Sequence, residues 1–215
     1  MAEIVAYNAE DGKAYVVKGA QSQLNVFDVN EDGSFGAAQS LDIAQLMQEE
    51  DAAFAYGDMT SVAVDTGNDR IAVALQEADY TKPGRVAVLN YDNEITAVYT
   101  TGVQPDMITF SEDGRYILTA DEGEPREGYG DGVADPRGSV TVVDVSALTS
   151  EVVGFDAFDA QRDELAASGV VLKKGVNPAT DLEPEYLHGS GGQAPTTPHE
   201  TTPTARRDPT SPHLC

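Results

Sequence analysis

Cysteine is all but missing from this chain. The single one, Cys215, is the last residue, which excludes an intrachain disulfide framework and says little about redox compartment. Tryptophan is absent, and no histidine precedes His188, so a structural zinc site finds no cysteine or histidine ligand in the body of the chain. No apolar run reaches the roughly 18 residues that a membrane span needs. Met1 leads almost at once into Glu3 and a strand, with no basic and apolar regions of an export signal before it. Basic residues are scarce, 13 Lys and Arg against 37 Asp and Glu, for a formal net charge of −24. Such a surface repels nucleic acid and anionic lipid, so neither nucleic acid nor membrane contact is expected of this chain. It also repels itself unless salt screens it, which points to a salt-rich habitat, with a calcium-rich extracellular setting as the competing explanation. Two catalytic signatures are missing as well: a Gly-x-Ser-x-Gly elbow and a phosphate-cradling loop ending in Gly-Lys-Ser/Thr.

What the chain does have is one hairpin written three times. Glu3 to Asn8 and Lys13 to Val17 flank Asp11-Gly12, Ser61 to Asp65 and Arg70 to Leu75 flank Asn68-Asp69, and Asp106 to Phe110 and Tyr116 to Ala120 flank Asp113-Gly114. β-branched and aromatic residues alternate around turns that tolerate positive φ. Two further strands follow each hairpin: 24–29 and 37–43, 85–90 and 95–100, 139–145 and 152–158. Residues 44–55 read as a short helix or an inter-repeat loop, and 161–168 as one or two helical turns. The equivalent valines Val26, Val88 and Val142 are 62 and 54 residues apart. Four antiparallel strands at that spacing match propeller blades enlarged by loops. A β-sandwich also has many short strands, but the same turn at the same place in each set favours the propeller. The fold class is therefore all-β: a propeller fragment of about three four-stranded blades, with the start of a fourth at Asp181–Leu187.

The incomplete domain covers residues 1–187, and 188–215 form a Thr/Pro/Gly-rich tail without a strand pattern, too poor in apolar surface to order itself. That tail reads equally as a proline-rich linker or as a truncated or frame-shifted end. Three blades and a beginning do not close a ring, so the intact parent is expected to have more blades on the C-terminal side and residues before Met1. Expressed alone, this chain is expected to be poorly stable or to aggregate.

The hairpin geometry also predicts a site. A first strand starts on the face where its antiparallel neighbour ends. Glu3, Asp106 and Glu185 stand at first-strand starts, and Glu77, Asp121, Glu122 and Glu124 just past second-strand ends. All should crowd one axial mouth, with Asp58, Asp181 and Glu183 in adjoining loops. Such carboxylates suit Ca²⁺ or Mg²⁺, which want hard oxygen ligands. Asp106 and Glu185, each just after a proline, lead the candidate metal ligands, followed by Glu122 and Glu124 around Gly123. Ser61 takes the corresponding place in the second blade, where Glu77 is expected to compensate. Arg126 and Arg137 are expected in surface salt bridges, though either could meet a phosphate oxygen. Acids are so abundant that any face would show several; the bland reading is a solvated acidic surface.

Ala2-Glu-Ile-Val-Ala-Tyr7, Gly102-Val-Gln-Pro-Asp-Met107 with Phe110, Ala120-Asp-Glu-Gly-Glu-Pro125, Gly138-Ser-Val-Thr-Val-Val-Asp144 and Asp181-Leu-Glu-Pro-Glu-Tyr186 together resemble the choice-of-anchor I family. The resemblance runs from about Ala2 to Tyr186. It implies a secreted or surface-anchored β-propeller, in a family often labelled alkaline-phosphatase-like and similar to the mesenchyme-specific cell surface glycoproteins. It also implies an export signal and a C-terminal anchor in the intact parent, neither present in this chain. Two functional expectations follow. One is a surface or secreted module that binds divalent cations and a partner, whether protein, glycan or phosphoester, through its acidic face. The other is a metal-dependent phosphomonoesterase, in which a cation holds the ester and activates water; without a cation so many carboxylates would repel a phosphate.

Overall fold

The computed structural model describes residues 4–130, 132–173, 175–188, 194–198 and 205–207, the last two segments as strands only. Alternating apolar residues and tight turns build three four-stranded antiparallel sheets, each in sequential strand order. The first holds β1 (Val5–Asn8), β2 (Lys13–Lys18), β3 (Gln23–Asp28) and β4 (Gln39–Asp42). The second holds β5 (Tyr56–Asp65), β6 (Arg70–Glu77), β7 (Pro83–Leu89) and β8 (Ile95–Val103). The third holds β9 (Pro105–Phe110), β10 (Tyr116–Asp121), β11 (Ser139–Asp144) and β12 (Thr149–Gly154). A fourth sheet starts with β13 (Pro184–Leu187) and continues with β14 (Ala194–Pro198) and β15 (Ala205–Arg207), where the sequence showed no strand pattern. The chain is thus an incomplete β-propeller. Its blades are joined by α1 (Ile43–Glu50), α2 (Arg162–Ala167) and α3 (Pro178–Asp181). In α1 the Asp42 carboxylate caps the Gln45 amide, and Ile43 and Met47, one turn apart, face inward.

The second and third blades are buried on both faces, because successive strand residues point to opposite sides. In β6, Ile71, Val73 and Leu75 pack toward the first blade, and Ala72 and Ala74 toward the third. In β10, Ile117 faces the second blade, while Leu118 and Ala120 face the segment leading into the fourth. Three apolar clusters therefore lie between successive blades, and truncating a fully buried residue there, such as Leu75, costs about 2–5 kcal/mol. On the first blade, Val5 and Tyr7 are exposed while Ala6 between them packs inward. The first strands β1, β5, β9 and β13 lie against one another and line the axis.

The blades are held closely at the loop face. Gly84, at the start of β7, has no room for a side chain: a Cβ there would stand 2.5 Å from both the Leu75 carbonyl oxygen and Pro105 Cδ. On the opposite face the hairpin turns do structural work. Arg70 pairs with Asp65 at 2.6 Å and donates to the Gly114 carbonyl at 2.7 Å, tying the second blade to the turn of the third.

Candidate functional site

The register of the first strands decides which side chains reach the axis. In the third blade Pro105 pairs with Asp121 and Met107 with Ala120, so Asp106 is an extra, bulged residue. In the fourth Pro184 pairs with Pro198 and Tyr186 with Thr197, which bulges Glu185 in the same way. In the second Met59 pairs with Leu75 and Ser61 with Ala74, leaving Thr60 as the bulge. A bulge re-aims the extra residue out of the ladder, and here it does so at one height in three successive blades. Thr60, Asp106 and Glu185 line one cavity of about 370 Å³, together with Asp58, Gln76 and Arg126. The blade-two counterpart of Asp106 is thus Thr60. Ser61 was expected there, because the sequence does not show that β5 starts at Tyr56 and bulges before Ser61.

The carboxylates at this mouth repel one another. Burial pushes Glu122 up to about 8, with Asp106, Glu124 and Glu185 adding to the rise and Arg126 opposing it. Asp106 is raised by burial and by Glu185, Glu124 and Asp58, again against Arg126. Four of the acids named from sequence, Asp106, Glu122, Glu124 and Glu185, therefore act on one another across two blades, with Asp58 from a third.

Three others are engaged elsewhere, and a fourth is not described. Asp121 is fully buried between the second and third blades, accepting hydrogen bonds from Thr119 Oγ1 at 2.6 Å, Thr141 Oγ1 at 2.6 Å, Ser139 Oγ at 2.9 Å and the Gly102 amide at 3.2 Å. Its lone pairs are occupied by the blade interface. Burial, only partly offset by those donors, pushes it up to about 6. Glu77 does not make up for the missing carboxylate of blade two: it caps the Ala55 amide at 3.1 Å. Glu183 is buried and accepts from Tyr129 Oη at 3.2 Å and Lys173 Nζ at 3.3 Å, in a latch that includes Asp181. Glu3 lies outside the described residues. Gly123, expected to let a loop fold around an ion, serves the base of its own loop: at φ +64°, a Cβ there would stand 2.6 Å from the Arg137 carbonyl.

Among the described residues no group of three or more His, Cys, Asp or Glu side chains is disposed to hold a metal ion. As placed, the mouth carboxylates are near enough to repel but do not form a finished cation cage. The two arginines diverge. Arg137 pairs with Asp156 on the surface, as expected. Arg126 instead donates to two neutral amides, Nη2 to Gln76 Oε1 at 2.6 Å and Nε to Gln104 Oε1 at 3.2 Å. Both glutamines are buried, and their orientation is fixed from behind. Gln104 Nε2 donates to the carbonyls of Glu124 at 2.7 Å and Tyr80 at 3.0 Å, and Gln76 Nε2 to that of Pro105 at 3.4 Å. Neither glutamine was singled out from the sequence. Gln76 follows Leu75 as Glu122 follows Asp121, so the repeat itself held the signal once the bulge is counted.

No curated protein matches the chain. Among solved structures, it resembles the hydrazine synthase of Kuenenia stuttgartiensis with a TM-score of 0.59 at 10% identity, covering 99% of this chain and 47% of that one. It resembles a Lactobacillus plantarum protein with a TM-score of 0.57 at 13% identity, covering 95% and 52%. The Cps50 (Swd1) β-propeller domain of Myceliophteria thermophila gives 0.54 at 11% identity, covering 96% and 51%. These likenesses speak to the fold alone, and the chain spans about half the length of the structures it matches. The choice-of-anchor I domain model matches residues 3–193, nearly the whole blade-forming part. The chain belongs to the choice-of-anchor I domain family.

Proposed function

We propose that the whole protein is a surface or secreted binding module that engages a partner through this axial mouth, with Ca²⁺ or Mg²⁺ as the species that lets the crowded carboxylates ionise together. What supports this reading is that the bulges of adjacent blades bring Asp106 and Glu185 to one cavity, beside which burial and the neighbouring carboxylates Asp106, Glu124 and Glu185 push Glu122 up to about 8. A divalent cation relieves both the repulsion and the desolvation at once. Because the side chains as placed are not a finished cage, uptake requires them to turn inward, and affinity must rise with pH as Glu122 loses its proton.

Isothermal titration of the whole protein with Ca²⁺ and with Mg²⁺ at pH 6.5 and pH 9 tests this. Saturable binding, tighter at the higher pH and abolished in an Asp106→Asn, Glu185→Gln double variant, is the expected result. An absence of binding at both pH values overturns the cation reading. The enzymatic alternative, a metal-dependent phosphomonoesterase, is separated by assaying phosphomonoester hydrolysis before and after chelation. Turnover that needs the cation and is lost in the same double variant would favour it over a pure binding module.

A further inference from the structure

Among the described residues that line the acidic mouth one is a cation, Arg126, and the way it is held bears on what the mouth recognises. This step rests on the reading that the mouth is a binding face. A guanidinium has five N–H donors in a rigid plane. In Arg126 the side-on pair, Nε and Nη2, is engaged by Gln104 and Gln76. Both amides are at least nine-tenths buried, at 1% and 3% exposure, and backbone carbonyls on their far sides present the oxygens to the arginine. Two neutral acceptors fix the group without neutralising it. Neither glutamine takes the end-on edge, which carries one Nη1 and one Nη2 hydrogen, and Arg126 lines the cavity together with Asp58, Asp106 and Glu185. That edge matches the two oxygens of a carboxylate.

A free anion would gain Arg126 but face the surrounding carboxylates, and a simple monovalent cation would gain the carboxylates but face Arg126. A ligand with both charges answers both walls. We propose that the axial cavity recognises a small zwitterion, an amino acid or short peptide, with its carboxylate on the end-on edge of Arg126 and its ammonium against Asp106 and Glu185. Thr60, the one uncharged residue at the three bulges, already donates its hydroxyl to the Pro105 carbonyl at 2.7 Å. The charges at the three bulges are therefore those of Asp106 and Glu185 alone.

The probes are alanine, acetate and ethylamine, the last two each carrying half of the charge pattern, titrated into the whole protein at matched ionic strength. Alanine is expected to bind saturably and the two half-ligands at least tenfold more weakly. Arg126→Gln should abolish alanine binding yet leave Ca²⁺ binding intact or strengthened; this variant keeps a polar side chain and its fold is checked by its thermal transition. Equal binding of acetate, unchanged alanine binding in Arg126→Gln, or no alanine binding by the wild type each overturns the proposal. Its failure is distinct from that of the cation reading, since Ca²⁺ binding without alanine binding removes only this inference, and the converse removes only the other.

Discussion

Replacing Asp121 by Asn should change how stability depends on pH. The wild-type carboxyl is fully buried between the second and third blades and pushed up to about 6 from 3.8. The native state therefore binds a proton there more tightly than the unfolded chain does. Stability from this group is fully present below pH 3.8 and is lost as the pH rises through about 6. The whole interval, at about 1.36 kcal/mol per pH unit, amounts to about 3 kcal/mol, of which about 2 kcal/mol falls between pH 4 and pH 7. The four donors from Thr119, Thr141, Ser139 and Gly102 keep the carboxylate tolerable but do not replace its hydration. Asn has a similar shape and no charge to bury; its amide hydrogens must find the lone pairs of the same hydroxyls, at a cost of about 1–2 kcal/mol that does not vary with pH. Urea unfolding of both proteins at half-unit steps from pH 4 to pH 7.5 reads the difference. The variant should be the less stable near pH 4 and gain on the wild type by about 2 kcal/mol by pH 7. A stability gap that stays constant over that range would refute the buried-charge account of Asp121.

Gly84→Ala should destabilise by about 1–3 kcal/mol in denaturant melts, since the new methyl collides with Leu75 and Pro105. Gly67→Ala, in an exposed turn with only Asp65 at 3.7 Å, should stay within about 0.5 kcal/mol of wild type. Ile117→Ala, fully buried between blades two and three, should cost about 2–5 kcal/mol, measured the same way. With a net charge of −24, the melting temperature should climb by several degrees between about 0.1 and 3 M KCl as screening removes self-repulsion; a flat or falling curve would count against a salt-rich habitat.

The repeats were legible because each blade repeats a period-2 pattern about a turn that needs positive φ. Gly12 and Gly114 adopt φ of +67°, and Asp69 reaches +53° without a glycine. Blade register was legible only up to the bulges. An extra residue at Thr60, Asp106 or Glu185 leaves no mark on composition, so Ser61 looked equivalent to Asp106 when it pairs one step further along. The same hidden step concealed Gln76. The fate of individual acids was not legible either, since Asp121 and Glu122 are adjacent in sequence yet one is sealed into a blade interface and the other, half-buried, feels the charges of the mouth carboxylates. Only the direction of a strand residue, fixed by its neighbours in the sheet, separates the two. Strands β14 and β15 fall among Thr, Pro and Ala, where no apolar alternation announces them.

The most direct test of the shared acidic mouth is the titration of the Glu122 carboxyl carbon by ¹³C NMR, in the wild type and in Asp106→Asn. The structure predicts a midpoint near 8 that falls when the Asp106 charge is removed. A midpoint at the ordinary glutamate value of 4.5, or one indifferent to Asp106, would contradict a mouth at which carboxylates of successive blades meet.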